Sequence, residues 1–284
     1  MLALQNQQKK QLATQNAMPS IPVDILRLIL DHVDKPDLLT ICLLNKICCS
    51  CSQSVLYRDI KVDILRQSIR VCETLAQSTL LARRVRSFNM CGEFFLFTVS
   101  DQLFKKPELS TSFQNMIFLR NLRLFSFTDA FNFLGGCPFK LVSFACNGFD
   151  PELLHRFLLS QPSLTYVGLG RYVHINDSLE FGATFLPNIT RVSANIFWLV
   201  QLIPGRPVNE VNCIGCKDSA DSVDLTFFTR STAPIQKISI SYSYVYPKSG
   251  QLLASILPSL THLNIETDWV IEDVRGPDFL EFNN

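Results

Sequence analysis

The chain has 284 residues, of which 47% are hydrophobic and 18% charged, and its formal net charge is +1. This composition excludes an intrinsically disordered chain, and the small net charge gives no reason to expect nucleic acid as a partner. No apolar run approaches the roughly 20 residues needed to cross a bilayer, so no membrane partner is expected.

The chain begins with a polar, glutamine-rich segment at residues 1–17. This segment lacks the apolar core of a secretory signal, so we interpret it as a disordered tail. The chain also has ten cysteines. Without an export signal, they indicate reduced thiols and a cytoplasmic or nuclear location.

Residues 18–60 are expected to form a module of three helices. Pro22 and Asp24 suit the first turn of the first helix, a second helix starts near Pro36, and the third covers residues 45–57. The first helix carries two apolar stripes, whereas an ordinary surface helix carries one. A module of about forty residues rarely buries that much apolar surface in its own core. The segment therefore indicates a surface that docks another protein.

This module resembles the F-box of fungal F-box proteins. The matching segments are IPVDIL at 21–26, DLL at 37–39, LLNK at 43–46 and LYRDI at 56–60. The resemblance implies a Skp-type adaptor as partner and, through it, the cullin of an SCF ubiquitin ligase. It implies adaptor contacts by seven residues, which the sequence does not divide into partner-facing and self-packing ones: Ile21, Pro22, Ile25, Ile29, Leu38, Leu39 and Leu44.

Residues 61–284 repeat a pattern of three apolar anchors, apolar-x-x-apolar-x-apolar. The pattern occurs at Val85/Phe88/Met90, Leu122/Phe125/Phe127, Leu141/Phe144/Cys146, Leu164/Val167/Leu169, Ile189/Val192/Ala194, Val208/Val211/Cys213, Ile235/Ile238/Ile240 and Leu260/Leu263/Ile265. From Leu122 onward the first anchors are 19 to 27 residues apart, and leucine-rich repeats run about 20–29 residues. Helix-like segments lie at 151–160, 222–230 and 249–257. Residues 91–118 do not fit this register and are interpreted as an insertion with a helix near 101–106.

The repeats resemble the irregular leucine-rich repeats that often follow an F-box. The fold class implied is α/β, with the three-helix module followed by a solenoid. Short parallel strands would line the concave face of the solenoid, and helices or loops its convex face.

Residues between the anchors are expected on the concave face. They are Leu124, Ser126, Ser143, Ala145, Tyr166, Gly168, Arg191, Ser193, Glu210, Asn212, Lys237, Ser239, His262 and Asn264. This row is polar and mixed in sign, which suits contact with a protein surface, although an ordinary solvated sheet face would look the same. The candidate contacts to a target protein are Tyr166, Arg191, Glu210, Lys237 and His262.

Cys213 and Cys216 form a CxxC pair, but no second ligand pair accompanies them. We interpret Cys213 as a strand anchor and expect no metal or other cofactor. The sequence also lacks the common catalytic motifs, so we predict that the chain is not an enzyme. The favoured function is substrate recognition in an SCF-type ligase. The alternative is a leucine-rich-repeat scaffold whose N-terminal helices only cap the solenoid.

Overall fold

A computed structural model of the chain describes residues 21–90, 107–124, 134–147, 150–170, 181–182, 184–214, 225–241 and 255–266. The chain divides into two compact units, Met1–Arg58 and Asp59–Asn284. The predicted tail at 1–17 and the predicted helix near 101–106 lie outside the described residues. Within them, no helix is both long and apolar enough to cross a membrane.

The described part of the first unit, from residue 21 onward, contains three helices, α1 (Val23–Leu30), α2 (Lys35–Ile41) and α3 (Lys46–Leu56). They occupy the three segments predicted to be helical, and α1 and α2 each pack against α3. Besides the buried Ser52, only three apolar side chains among the described residues of this unit are nearly inaccessible, so its apolar centre is small. These are Leu30, Leu38 and Cys51, with Leu26, Val33, Ile41, Val55 and Leu56 packed around them.

Two neighbouring leucines of α2 are predicted to differ sharply in their effect on stability. Leu38 is 1% exposed and Leu39 is 60% exposed. Leu38→Ala should lower the free energy of unfolding of the first unit by about 2–4 kcal/mol, because it leaves a cavity in the core. Leu39→Ala should change it by less than about 0.5 kcal/mol. Hydrogen exchange of the α1–α3 amides measures both, and equal protection in the two variants would contradict this core.

The second unit is built on a parallel sheet of nine strands in sequence order. The strands are β1 (Asp59–Val62), β2 (Ser87–Met90), β3 (Asn121–Leu124), β4 (Ser143–Cys146), β5 (Tyr166–Leu169), β6 (Arg191–Ala194), β7 (Glu210–Cys213), β8 (Lys237–Ser241) and β9 (His262–Glu266). Each strand pairs with its neighbours in the chain, which is compatible with a solenoid-like α/β fold. Residues 59–62, which alternate between polar and apolar side chains, form the first strand of the sheet, so the predicted module boundary at residue 60 lies within it.

Helices connect several of these strands. They are α4 (Leu65–Gln77), α5 (Thr79–Ala82), α6 (Pro107–Asn115), α7 (Pro151–Leu159), α8 (Ile196–Leu202) and a 3₁₀ helix (Leu225–Arg230). Side chains cap three of them at the N-terminus: Ser78 accepts the backbone N–H of Leu81 at 3.4 Å before α5, Asp150 accepts that of Glu152 at 2.8 Å before α7, and Asn195 accepts that of Trp198 at 3.2 Å before α8. The sequence patterns missed α4, α5 and α8. They also assigned α6 to an insertion, although it precedes β3 as part of an ordinary helix–strand repeat.

The apolar anchors of seven of the eight repeats lie where the sequence pattern placed them. Residues such as Phe88, Phe144 and Val192 are buried beneath the sheet, whereas Leu263 and Ile265 on the last strand remain 44% and 41% exposed. The prediction for the second repeat is wrong by three residues. Its strand pairs Leu122 with Phe88 and Phe144, so its anchors are Leu119/Leu122/Leu124.

This corrected register moves Leu124 from the predicted concave face to the core, where it is 2% exposed. Asn121 and Arg123 take the outward positions of β3 instead. The segment 119–127 is rich in leucine and phenylalanine, so it matches the three-anchor pattern whether the first anchor is Leu119 or Leu122. The apolar pattern of this segment therefore does not distinguish the two registers. Pairing with the two neighbouring strands determines the register of β3, because a shift by an odd number of residues would turn its apolar side chains away from the core. Ser126 lies outside the described residues.

A ladder of main-chain hydrogen bonds runs along the edge where the strands begin. The carbonyl oxygen of Arg86 accepts the N–H groups of Arg120 at 2.8 Å and Asn121 at 3.0 Å. In the same way, the residue directly before each of the strands β3 to β8 accepts two N–H groups with its carbonyl oxygen. These residues are Arg120, Val142, Thr165, Thr190, Asn209 and Gln236. Because this contact involves only the backbone, it holds repeats of unequal length and sequence in one register.

Arg206 is the largest charged side chain in the core and is 1% exposed. Its Nη1 donates to the carbonyl oxygens of Gln201 at 2.8 Å and Pro204 at 2.9 Å, and its Nη2 donates to that of Gly182 at 3.0 Å. Its Nε donates to the carbonyl oxygen of Phe185 at 2.5 Å. Burial lowers the pKa of this guanidinium. The bonds join the segment before β6 to the turn after α8, which gives this arginine a structural role.

Candidate functional site

The exposed apolar side chains are concentrated in the first unit. Of the eighteen large hydrophobic residues exposed within the described ranges, nine lie between residues 21 and 47. We call these nine the apolar docking surface: Ile21, Val23, Ile25, Leu28, Ile29, Leu39, Leu43, Leu44 and Ile47. Apolar exposure concentrated in this way is typical of a protein interaction site.

The structure separates the seven predicted adaptor contacts into two groups. Six of them are exposed: Ile21, Pro22, Ile25, Ile29, Leu39 and Leu44. The seventh, Leu38, is buried beside Leu30 and Cys51 and cannot present its side chain to a partner. Adjacent positions of a helix point about 100° apart, so packing on α3 decides which of the two leucines faces inward. The sequence analysis missed Val23, Leu28, Leu43 and Ile47, which the twofold apolar striping of α1 partly signalled.

Polar contacts fix the helices that carry this surface. Asn45 caps α3 by accepting the backbone N–H of Cys48 at 2.8 Å. Arg58 and Asp31 form an ion pair at 2.9 Å between the end of α1 and the chain that follows α3. The pair is partly exposed and adds little stability of its own, but it helps define how α1 lies on α3.

The cysteines of the described segments are all free thiols. Cys213 is 2% exposed, as expected for a strand anchor, and Cys216 lies outside the described residues. No group of three potential metal ligands occurs among the residues that the structure describes. Burial raises the pKa of the Cys72 thiol to about 12 and raises that of Cys146 as well. These thiols therefore pack as small apolar groups.

Alkylation is expected to distinguish these thiols from the accessible ones. At pH 8, iodoacetamide should modify the half-buried Cys48 and leave Cys72 and Cys146 unmodified, because only the thiolate reacts and burial suppresses it. Mass spectrometry after unfolding and a second, isotopically different label reads each site. In urea all three should react alike. Equal labelling of Cys72 and Cys48 in the folded protein would contradict the packing described here.

The outward side of the sheet presents the predicted target contacts in one row. Tyr166, Arg191, Glu210, Lys237 and His262 take the first position of five consecutive strands, and each is paired with the next. We call this outward side the strand face. That these residues bind a target stays a prediction, but the register brings all five side chains together.

Tyr166 is one of three half-buried residues in this row, with Arg191 and Glu210. The guanidinium carbon of Arg191 lies 5.4 Å from the centre of the Tyr166 ring. Burial raises the pKa of the Tyr166 phenol, while the charges of Arg123 and Arg191 and a hydrogen bond with Ser193 act in the opposite direction. The phenol therefore stays protonated at neutral pH and is surrounded by cationic and hydroxyl groups.

Asn121 and Arg123 belong to this face and were not predicted from the sequence, and Arg123 is the charged one of the two. It stands on β3 in the row that contains Ala145, Gly168 and Ser193. The spacing between the first anchors of successive repeats contained a signal for the outward position of Arg123. With Leu119 as first anchor the distance to the next repeat is 22 residues, close to the 23 of the following one, whereas Leu122 gave 19.

Comparison with models of known protein families finds none that matches this chain. Comparison with curated proteins finds no similar sequence.

Proposed function

We propose that this chain is the substrate-recognition subunit of an SCF-type cullin-RING ubiquitin ligase. Its first unit acts as an F-box that binds a Skp-type adaptor and, through it, a cullin. Its second unit is an irregular leucine-rich-repeat solenoid that holds a target protein. The proposal also makes the chain a non-enzymatic component, since the covalent step would belong to other subunits.

The apolar docking surface is the observation that carries this proposal. Five of its nine residues occupy positions that the F-box resemblance assigns to adaptor contacts. Burying one leucine or isoleucine side chain stabilises a complex by about 1.5–3 kcal/mol. A partner that covers most of this surface therefore gains enough to offset the loss of translational and rotational freedom on association.

Repeats of similar length support the leucine-rich-repeat assignment. From the corrected anchor at Leu119 onward, the first anchors of successive repeats are 19 to 27 residues apart, and each repeat contributes one strand to a parallel sheet in sequence order. The three anchors of each repeat before the last are buried, and the residues between them face outward. This is the arrangement expected when each repeat buries its apolar side against its neighbours.

The mechanism would be proximity. The adaptor fixes the first unit to the ligase while the strand face holds the target, so target lysines meet the transferring machinery at high effective concentration. Specificity then resides in the side chains of the strand face, and the rate depends on how long the target stays bound.

Co-expression with a Skp-type adaptor tests the proposal. We expect the two proteins to co-purify as a 1:1 complex by size-exclusion chromatography with light scattering, and the chain alone to aggregate through its apolar docking surface. A soluble, monomeric chain that ignores the adaptor at micromolar concentrations would refute the ligase assignment.

That outcome would favour the scaffold alternative. One feature of α3 supports it: residues 47–49 are Ile-Cys-Cys, where many F-boxes carry an aromatic residue. The two functions separate cleanly, because a scaffold predicts a stable chain without any adaptor, whereas the receptor requires the complex.

A further inference from the structure

Two small residues, Ala145 and Gly168, are paired at the centre of the strand face. A Cβ atom placed on Gly168 would lie 2.8 Å from the Tyr166 hydroxyl oxygen and 3.0 Å from the Cβ of Ala145. The tyrosine side chain therefore runs along its own strand and lies over Gly168. Any larger residue at 168 would displace the ring. The absence of a side chain at this position lets the phenol hydroxyl reach the middle of the sheet.

Two arginines stand on strands to either side of the strand that carries Tyr166. Arg191, on the next strand, places its guanidinium carbon 5.4 Å from the tyrosine ring centre. Arg123 stands on β3, two strands before Tyr166, and its charge acts on the same phenol. Ser193, on the same strand as Arg191, forms a hydrogen bond with the phenol. We call Arg123, Tyr166, Arg191 and Ser193 the arginine–tyrosine site.

The surroundings of this site leave an excess of positive charge. Among the outward residues of β3 to β8 there are three cations, Arg123, Arg191 and Lys237, and one carboxylate, Glu210. Glu210 lies between Arg191 and Lys237 in the register, so it can offset only part of their charge. An anionic partner is favoured on electrostatic grounds.

The distance between the two arginines restricts where the negative charges of that partner can lie. Their strands are three steps apart in the sheet, which is about 14 Å at 4.8 Å per strand. An extended peptide that crosses the strands covers this distance in about four residues. Side chains four apart in an extended segment point the same way, and each guanidinium binds one carboxylate well.

We propose that the arginine–tyrosine site binds an acidic, extended segment of the target protein. Carboxylates about four residues apart pair with Arg123 and Arg191, and the chain between them passes over Tyr166. The proposal rests on the assignment of the strand face to target binding and adds the chemical class of the target to it.

Selection from a display library of random 12-residue peptides tests this proposal. The bait is the full chain, bound to the adaptor where that complex forms. Selected peptides should share two Asp or Glu residues about four positions apart. Arg191→Gln and Arg123→Gln should each weaken the best peptide about tenfold or more in fluorescence anisotropy. Arg230→Gln, on the exposed end of the 3₁₀ helix, is the matched control and should change binding less than about twofold.

A charge exchange separates direct contact from a structural role. Arg191→Glu should lose the acidic peptide and bind a version with lysine at the matching position, which a merely misfolded variant would not do. Replacing the peptide's carboxylates by phosphoserine should weaken binding if two separate carboxylates are read. Tighter binding of the phosphopeptide would instead assign the site to phosphate and overturn the proposal.

Failure of this proposal differs from failure of the ligase assignment. A chain that binds the adaptor but selects no peptide, or peptides without acidic residues, overturns the acidic-segment proposal alone. Selected acidic peptides that bind equally well to Arg123→Gln and Arg191→Gln also overturn it. A chain that selects acidic peptides and ignores the adaptor refutes the ligase and leaves the site in place.

Discussion

Replacing Leu39 and Leu44 together by glutamate is expected to weaken binding of a Skp-type adaptor by at least ~100-fold. Both side chains are largely exposed, 60% and 68%, so neither supports the core of the first unit. In the complex, each glutamate would have to leave water for an apolar contact without a partner charge. Biolayer interferometry with immobilised adaptor measures the change, and the melting temperature of the variant should match that of the wild type within about 2 °C.

Leu80→Glu is the matched control for this experiment. Leu80 is 72% exposed on α5 of the second unit, so it receives the same change of charge and size outside the apolar docking surface. Its affinity for the adaptor should equal that of the wild type. If the double variant also binds as tightly as the wild type, these leucines do not form the adaptor contact.

Replacing Arg206 by methionine is expected to lower the free energy of unfolding by about 3 kcal/mol and the melting temperature by about 6–12 °C. Methionine fills a similar volume but donates no hydrogen bonds. It therefore leaves the buried carbonyl oxygen of Phe185 and the partly buried ones of Gln201 and Pro204 without their donors. Differential scanning calorimetry of the purified chain, or of its adaptor complex, measures the loss.

Two further variants sharpen this prediction. Arg206→Lys keeps the charge but has fewer donors and no planar fork, so it should fall between wild type and Arg206→Met. Arg156→Met is the control. Its side chain is 71% exposed and faces Glu152 at 3.6 Å, and its loss should cost less than about 0.5 kcal/mol. Equal stability of Arg206→Met and wild type would show that the hydrogen bonds from Arg206 to the surrounding carbonyl oxygens do not stabilise this region.

Much of the architecture could be predicted because its signals are local and repeated. Helix α1 follows from Pro22, Asp24 and its apolar periodicity. Seven strand registers follow from the spacing of anchors such as Leu141, Phe144 and Cys146. A strand that is apolar on one side can turn either of its two sides toward the core, and the apolar anchors turn toward it because they are then buried. Helices α4 and α8 were missed because their apolar residues did not form a pattern distinct from that of the repeats.

By itself, the sequence determined the α/β class, the helices of the first unit and the row from Tyr166 to His262, because each depends on spacing along the chain. The tertiary structure alone decided three other points. It buried Leu38 and exposed Leu39, it chose Leu119 as anchor and so placed Arg123 on the strand face, and it enclosed Arg206. Each of these depends on groups distant in sequence, namely α3, the two neighbouring strands and the carbonyls before β6. No local pattern records such contacts, because they exist only once the chain has folded.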